Sequence, residues 1–104
     1  MTQGLGFALM EEFIEERGMP ETTNLRTYMI PTSKDVPDIQ SIIMESHSGK
    51  GPFGAKGIGE PPIVATTPAI LNAIYDAVGV RIKKTPATSE NVFYHLKKGQ
   101  KRSP

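Results

Sequence analysis

An α+β fold, with about three helices and a small mixed or antiparallel sheet, is what this sequence predicts. Three observations carry that class. Apolar residues recur at helical spacing near both ends and again between 70 and 78, an isoleucine-rich run stands in the middle, and Gly and Pro punctuate the joints between blocks. The 104 residues allow one modest domain with a small core. With Lys+Arg 12 against Asp+Glu 11 the net charge is +1, so no global field draws in nucleic acid or an anionic membrane. Cysteine is absent, which excludes a disulfide, a thiolate zinc site and a cysteine-ligated iron–sulfur cluster on this chain. No apolar run reaches the length of a bilayer span and the N-terminus lacks a signal-peptide pattern, which points to a cytoplasmic address.

Taken in order, Leu5, Ala8, Leu9 and Phe13 fall at helical spacing, so a first helix is expected from about Leu5 to Arg17, with Arg17-Gly18 as its stop. Glu11, Glu12, Glu15 and Glu16 then form its solvated face and carry no chemistry. "LRTYMIP" is expected to be a short extended segment ended by Pro31, because a residue before proline is pushed out of the helical region. Ile39 to Ser46 suits a strand with one buried face. Thr67 and Pro68 form a cap and a first helical position, followed by the apolar stripe Ile70, Leu71, Ile74, Tyr75 and Val78 up to Gly79. Thr88, Ser89 and Glu90 open a last helix that turns Val92, Phe93 and Leu96 inward. Residues 1–97 make the domain, and 98–104 a flexible basic tail.

Most sharp motifs fail. Gly49, Gly51 and Gly54 spell G-x-G-x-x-G, but Pro52 interrupts it and Pro61-Pro62 stands where a dinucleotide-binding helix would run. His47 and His95 lack partners at metal-ligand spacing. Tyr28, Tyr75 and Phe93 are not interleaved with basic residues as a nucleic-acid stacking platform requires. What remains is "GAKGIGEPP". Gly57 and Gly59 leave room for another group to approach the backbone, while Pro61 biases Glu60 toward extended backbone angles and Pro62 stiffens the exit, so the stretch can present one carboxylate rigidly. The same residues equally describe a tight turn with an exposed Glu60 and a surface Lys56.

"GAKGIGEPP" resembles a signature near the C-terminus of the molybdopterin-binding large subunit of the xanthine dehydrogenase and aldehyde oxidase family of molybdenum hydroxylases. "QGLGFALMEE" (Gln3 to Glu12), "YMIPTSKDVPDI" (Tyr28 to Ile39) and "AILNAIYDAVGVRI" extend the resemblance over nearly the whole chain. It implies the fold of the C-terminal fragment of a molybdenum-binding domain, and an enzyme that oxidatively hydroxylates a purine, an aldehyde or an N-heterocycle with oxygen from water. In that family the glutamate of this signature is the general base, and Glu60 stands at the matching position. Gln3 would be the amide that hydrogen-bonds the molybdenum–pterin cofactor, with Gly4, Gly6 and Gly59 permitting close backbone approach and Lys56 lying further out.

The resemblance further implies partners: the remaining part of the molybdopterin-binding subunit, with iron–sulfur and flavin subunits or domains. No cofactor is expected on this chain alone. In isolation the surface around Leu5, Phe7 and Phe53 is expected either to self-associate or to stay mobile. The competing expectation is a small stand-alone α+β binding domain in which Glu60 is structural.

Overall fold

The structure is a computed structural model and describes residues 1–45, 47 and 49–100. In chain order it contains helix α1 (Thr2–Leu9), strands β1 (Glu15–Glu16) and β2 (Met19–Pro20), the one-turn helix α2 (Leu25–Tyr28), the long helix α3 (Pro61–Val78) and helix α4 (Ser89–Gln100). The two strands pair antiparallel, Glu15 opposite Pro20 and Glu16 opposite Met19. A single 3-10 turn, Pro52–Gly54, lies inside the glycine loop. The α+β class stands, with one short helix more than the sequence predicts.

Helix α1 stops at Leu9, not near Arg17. Had it continued, Glu11 would face Glu15 and Glu12 would face Glu16 one turn apart, an unfavourable like-charge spacing. Instead Arg17 and Gly18, at φ of 53° and 80°, form the two-residue turn of a hairpin. Such a loop needs positive φ at both positions, so Arg17-Gly18 reverses the chain where it was expected to end a helix. Thr22 fastens the base of the hairpin, its hydroxyl accepting from the Ile14 N–H at 2.9 Å and donating to the Glu12 carbonyl at 3.3 Å.

The 25–28 segment is helical where an extended one was expected. Asn24 Oδ1 accepts from the N–H groups of Arg26 and Thr27 at 3.0 and 3.1 Å, and this cap outweighs the remote influence of Pro31. Residues 38–45 form no strand, although they carry the side chains of one. No backbone hydrogen bond joins them to another described residue, and a strand exists only by pairing. Ser46, where that expected strand ends, lies outside the described residues.

Helix α3 begins seven residues before the expected Pro68. Pro61 and Pro62 occupy its first two positions, where helix geometry has no use for an N–H donor. Pro68 is therefore internal, and Thr66 bonds the Pro62 carbonyl at 3.1 Å in the turn before it. Helix α4 opens as expected, with the Thr88 hydroxyl accepting from the Asn91 N–H at 3.2 Å, and it includes residues 98–100 of the expected tail. Residues 101–104 lie outside the described residues.

Packing is sparse. Helix α1 lies against α3 and has Gly4, Gly6 and Ala8 buried, and the Ala87 N–H reaches the Ala8 carbonyl at 2.6 Å. Ala8, Ile82 and Ala87 make up the buried apolar core among the described residues. The radius of gyration is 18.1 Å, against about 13 Å for a compact domain of this length. Accessible surface amounts to 9023 Å², where a compact protein of 11.3 kDa exposes about 5,700 Å². No helix among the described residues is long and apolar enough to cross a membrane.

One local device sets the turn before residue 38. Thr32 donates its N–H and its hydroxyl to Asp35 Oδ2, at 2.8 and 2.6 Å, and the Asp35 N–H returns a bond to the Thr32 carbonyl at 3.0 Å. Those bonds hold the Asp35 carboxyl below its ordinary value. A carboxyl depressed in the folded state supports the turn above its unfolded pKa of about 3.9 and loses that support as pH falls through the lowered value. The Thr32 amide resonance is therefore expected to hold steady down to about pH 4 and to move only in more acid solution. Asp35→Ala should abolish the movement; a Thr32 amide that titrates identically in the variant would show the bond to be absent.

Candidate functional site

Helix α1 supplies one wall of the site and the start of α3 the other. Gly4 makes their approach close enough: a Cβ there would meet Thr66 Cβ at 2.6 Å and Thr66 Cγ2 at 2.8 Å. The Thr67 hydroxyl completes the contact by donating to the Gly4 carbonyl at 3.3 Å. This crossing brings the start of α1 beside the start of α3. There Met1, Gln3, Gly59, Glu60, Pro62 and Ile63 line a cavity of about 160 Å³. Three residues singled out in the sequence, Gln3, Gly59 and Glu60, thus meet in one place despite their separation along the chain.

Glu60 is the N-cap residue of α3, at φ −102° and ψ 17°, with no capping bond from its side chain. Its carbonyl accepts the Ile63 N–H at 3.0 Å, closing the first turn. The carboxylate is exposed and makes no hydrogen bond or ion pair with another described residue. Pro61 does not hold Glu60 in an extended conformation, as the sequence suggested. It fixes the backbone of Glu60 differently, by starting the helix at the next residue. Gly59 stays open, since a Cβ there would meet only Pro61 Cδ, at 3.8 Å, and Gly57 has nothing within 4 Å.

Gly4 turns its free face to Thr66 and Gly6 turns its own to the Glu11 carboxylate and Pro31. Their missing side chains are used in packing within the chain. The Glu11 carboxylate also accepts from the Tyr28 hydroxyl, which raises the pKa of Tyr28. Glu11 and Glu12 are half-buried and partnered, Glu12 with Lys84 at 3.8 Å, while Glu15 and Glu16 are exposed as expected, Glu16 beside Arg17 at 3.9 Å. Lys56 sits on a different hollow, with Ile43, Met44, Phe53 and Ile58. Among the described residues no group of three His, Cys, Asp or Glu could hold a metal ion. Met1, Pro62 and Ile63 were missed as walls of the cavity, and Thr66 and Thr67 as the partners of Gly4. Two adjacent threonines inside an otherwise apolar helix were the available signal.

The first 37 residues match the model of the molybdopterin cofactor-binding domain family. Over 95 residues the chain is 43% identical to the gamma subunit of the 6-hydroxypseudooxynicotine dehydrogenase complex of Paenarthrobacter nicotinovorans, covering 88% of this chain and 12% of that one. Over 100 residues it is 37% identical to a putative xanthine dehydrogenase molybdenum-binding subunit of Escherichia coli, covering 92% and 13%. It superposes on quinoline 2-oxidoreductase from Pseudomonas putida 86 with a TM-score of 0.82 and 35% identity, over 93% of this chain and 13% of that chain. The chain belongs to the xanthine dehydrogenase and aldehyde oxidase family of molybdenum-binding subunits. It spans about an eighth of the length of these relatives.

The closeness of α1 and α3 at Gly4 sets where Gln3 sits relative to Glu60. Gly4→Ala is expected to destabilise the chain by about 1–3 kcal/mol through overpacking. Combining it with Thr66→Gly, which removes the clashing Cβ, should cost less than the sum of the two single changes in a denaturation series. Strict additivity would show that Gly4 and Thr66 do not touch.

Proposed function

We propose that this chain supplies the general-base carboxylate, Glu60, and a cofactor-contacting amide, Gln3, to the active site of a molybdenum hydroxylase. The observation that carries the reading is the common cavity of Gln3, Gly59 and Glu60 at the α1–α3 crossing. Family membership supports it, since the matched relatives include a molybdenum-binding subunit.

The residues fit one side of a molybdenum–pterin cofactor. Gln3 offers an amide that can both donate and accept, Glu60 an acceptor, and Gly59 a backbone that a planar group can approach. Gly4 takes part through the backbone and the packing that hold Gln3 in place. A cavity of about 160 Å³ is smaller than the roughly 300–1,000 Å³ of ordinary ligand pockets, so the other walls come from outside this chain. We therefore expect no cofactor on the chain alone.

When bound, the cofactor supplies a two-electron acceptor at a Lewis-acidic metal. The reaction served is R–H + H₂O → R–OH + 2H⁺ + 2e⁻, on a purine, aldehyde or N-heterocycle, with the electrons passing on to iron–sulfur and flavin partners. Glu60 takes the proton from the attacking oxygen as the C–O bond forms and holds it on its carboxylate. Its place at the helix start keeps the backbone that carries it from swinging with the loop. Gln3 orients the cofactor and exchanges no proton.

In an assembled enzyme, Glu60→Gln retains size and hydrogen bonding but not basicity. Turnover is expected to fall on the order of 100-fold to 10,000-fold while bound molybdenum stays nearly constant. Near-normal turnover would remove Glu60 from the role of base. Gln3→Ala should lower cofactor occupancy or metal-centred reactivity by about 0.5–1.5 kcal/mol, the net worth of one hydrogen bond. Unchanged molybdenum content together with an unchanged rate would exclude the contact.

A further inference from the structure

Residues 38–45, "DIQSIIME", present a contradiction that the α1–α3 contact does not resolve. Their composition is that of a strand, and Ile42, Ile43 and Met44 in succession give both faces of it apolar side chains, the mark of a strand covered on two sides. Yet these three residues are 82%, 88% and 90% exposed, and no backbone group of 38–45 bonds to another described residue. An isoleucine-rich, apolar run that pairs with no other described residue has the composition of a strand without its sheet.

We infer that residues 38–45 are a docking strand, which adds by backbone hydrogen bonds to an open, apolar sheet edge in the part of the molybdenum-binding subunit that this chain does not span. The inference rests on the proposed function, since it names the partner that steadies the same site. The chain covers 13% of the quinoline 2-oxidoreductase chain on which it superposes, so a relative holds ample further structure to provide that edge. The surface exposed beyond that of a compact protein, about 3,300 Å², exceeds the roughly 2,000 Å² at which obligate interfaces begin. A second copy is the weaker occupant. Two such strands would make an isolated two-stranded ribbon, which is marginal in water and leaves one face of each strand bare.

Docking matters to the site because of where the strand lies in the chain. The glycine loop that ends at Glu60 runs from this segment to α3. With α3 held against α1 and the strand held on a sheet, both ends of the loop are fixed. The strand thus anchors the far end of the glycine loop, while the start of α3 holds the backbone of Glu60 itself.

The test splices this chain into the gamma subunit of the Paenarthrobacter nicotinovorans complex in place of the region it matches. Hydrogen exchange is then compared between the isolated chain and the chimera. The amides of Ile39 to Glu45 are expected to exchange without protection in the isolated chain and at least 100-fold more slowly in the chimera. Ile43→Pro, which removes one N–H, should lower the yield of soluble chimera at least tenfold, whereas Ile43→Val, which keeps the N–H and the branching, should stay within twofold. Amides 39–45 left unprotected in a folded chimera would overturn the inference, and so would a chimera that fails to accumulate with the unsubstituted chain. Protection that appears in the isolated chain and rises with its concentration would replace the sheet edge with a second copy. Glu60→Gln in the same chimera separates the two proposals. Retained protection with unchanged turnover of 6-hydroxypseudooxynicotine sinks the base and leaves the strand, while lost protection with a base-dependent rate does the reverse.

Discussion

The crossing of α1 over α3 at Gly4 is the contact on which the remaining arrangement depends. It is short because one partner has no side chain and the other presents only a threonine, and it is held by a hydroxyl-to-carbonyl bond at 3.3 Å. A larger residue at position 4 would lever the first turn of α1 away from the first turn of α3. Gln3 and Met1 would leave with it, and the cavity they share with Glu60 and Pro62 would open. The Ala87 bond to Ala8 and the Lys84–Glu12 ion pair also join the two halves of the chain, but none of these four residues lines the cavity.

The glycine loop gains its meaning from that crossing. A loop with five glycines between Gly49 and Gly59 has little stiffness of its own, and its only regular structure is a 3-10 turn at Pro52–Gly54. Glu60 is nevertheless well placed, because it belongs to the helix that follows. Two prolines at the first helical positions fix φ at the start of α3 and remove the donors that solvent would otherwise compete for. The backbone of Glu60 is set by the helix start, while Gly57 and Gly59 keep the space before it open. Rigidity and access, which one loop could hardly provide together, are divided between two adjacent pieces of chain.

How much of this was legible in the sequence follows from the range of the interactions. The caps at Thr88 and Gly79 act within one turn and were read correctly, and the α+β class needed only periodicity. Arg17-Gly18 was recognised as a break but assigned to the wrong structure, because whether such a pair ends a helix or turns a hairpin is decided by repulsion among Glu11, Glu12, Glu15 and Glu16 and by Thr22. The short α2 is not legible in the sequence because a cap at Asn24 competes with a proline three residues beyond its single turn. Gln3, Gly59 and Glu60 were found by resemblance, but their meeting in one cavity was not written in any local pattern. It arises from Gly4 and Thr66, two residues that packing brings together across the chain.

The strand that failed to form is the most informative of these differences. Propensity describes a residue's fitness for an environment, and pairing requires that the environment be present. Helix α3 makes the same point from the other direction: eighteen residues with a single charge, Asp76, would ordinarily lie inside a protein, yet only the side facing α1 is even half covered. An apolar helix and an apolar strand that both lack cover, flanking the loop that ends in Glu60, belong to a core assembled from more polypeptide than this chain contributes. A carboxylate that must be ionised, dry and oriented cannot meet all three conditions on such an open surface. The local sequence can fix the backbone at Glu60 through Pro61, Pro62 and Gly4, and for the proposed base the orientation of the side chain and the exclusion of water must then come from whatever covers α3 and the strand.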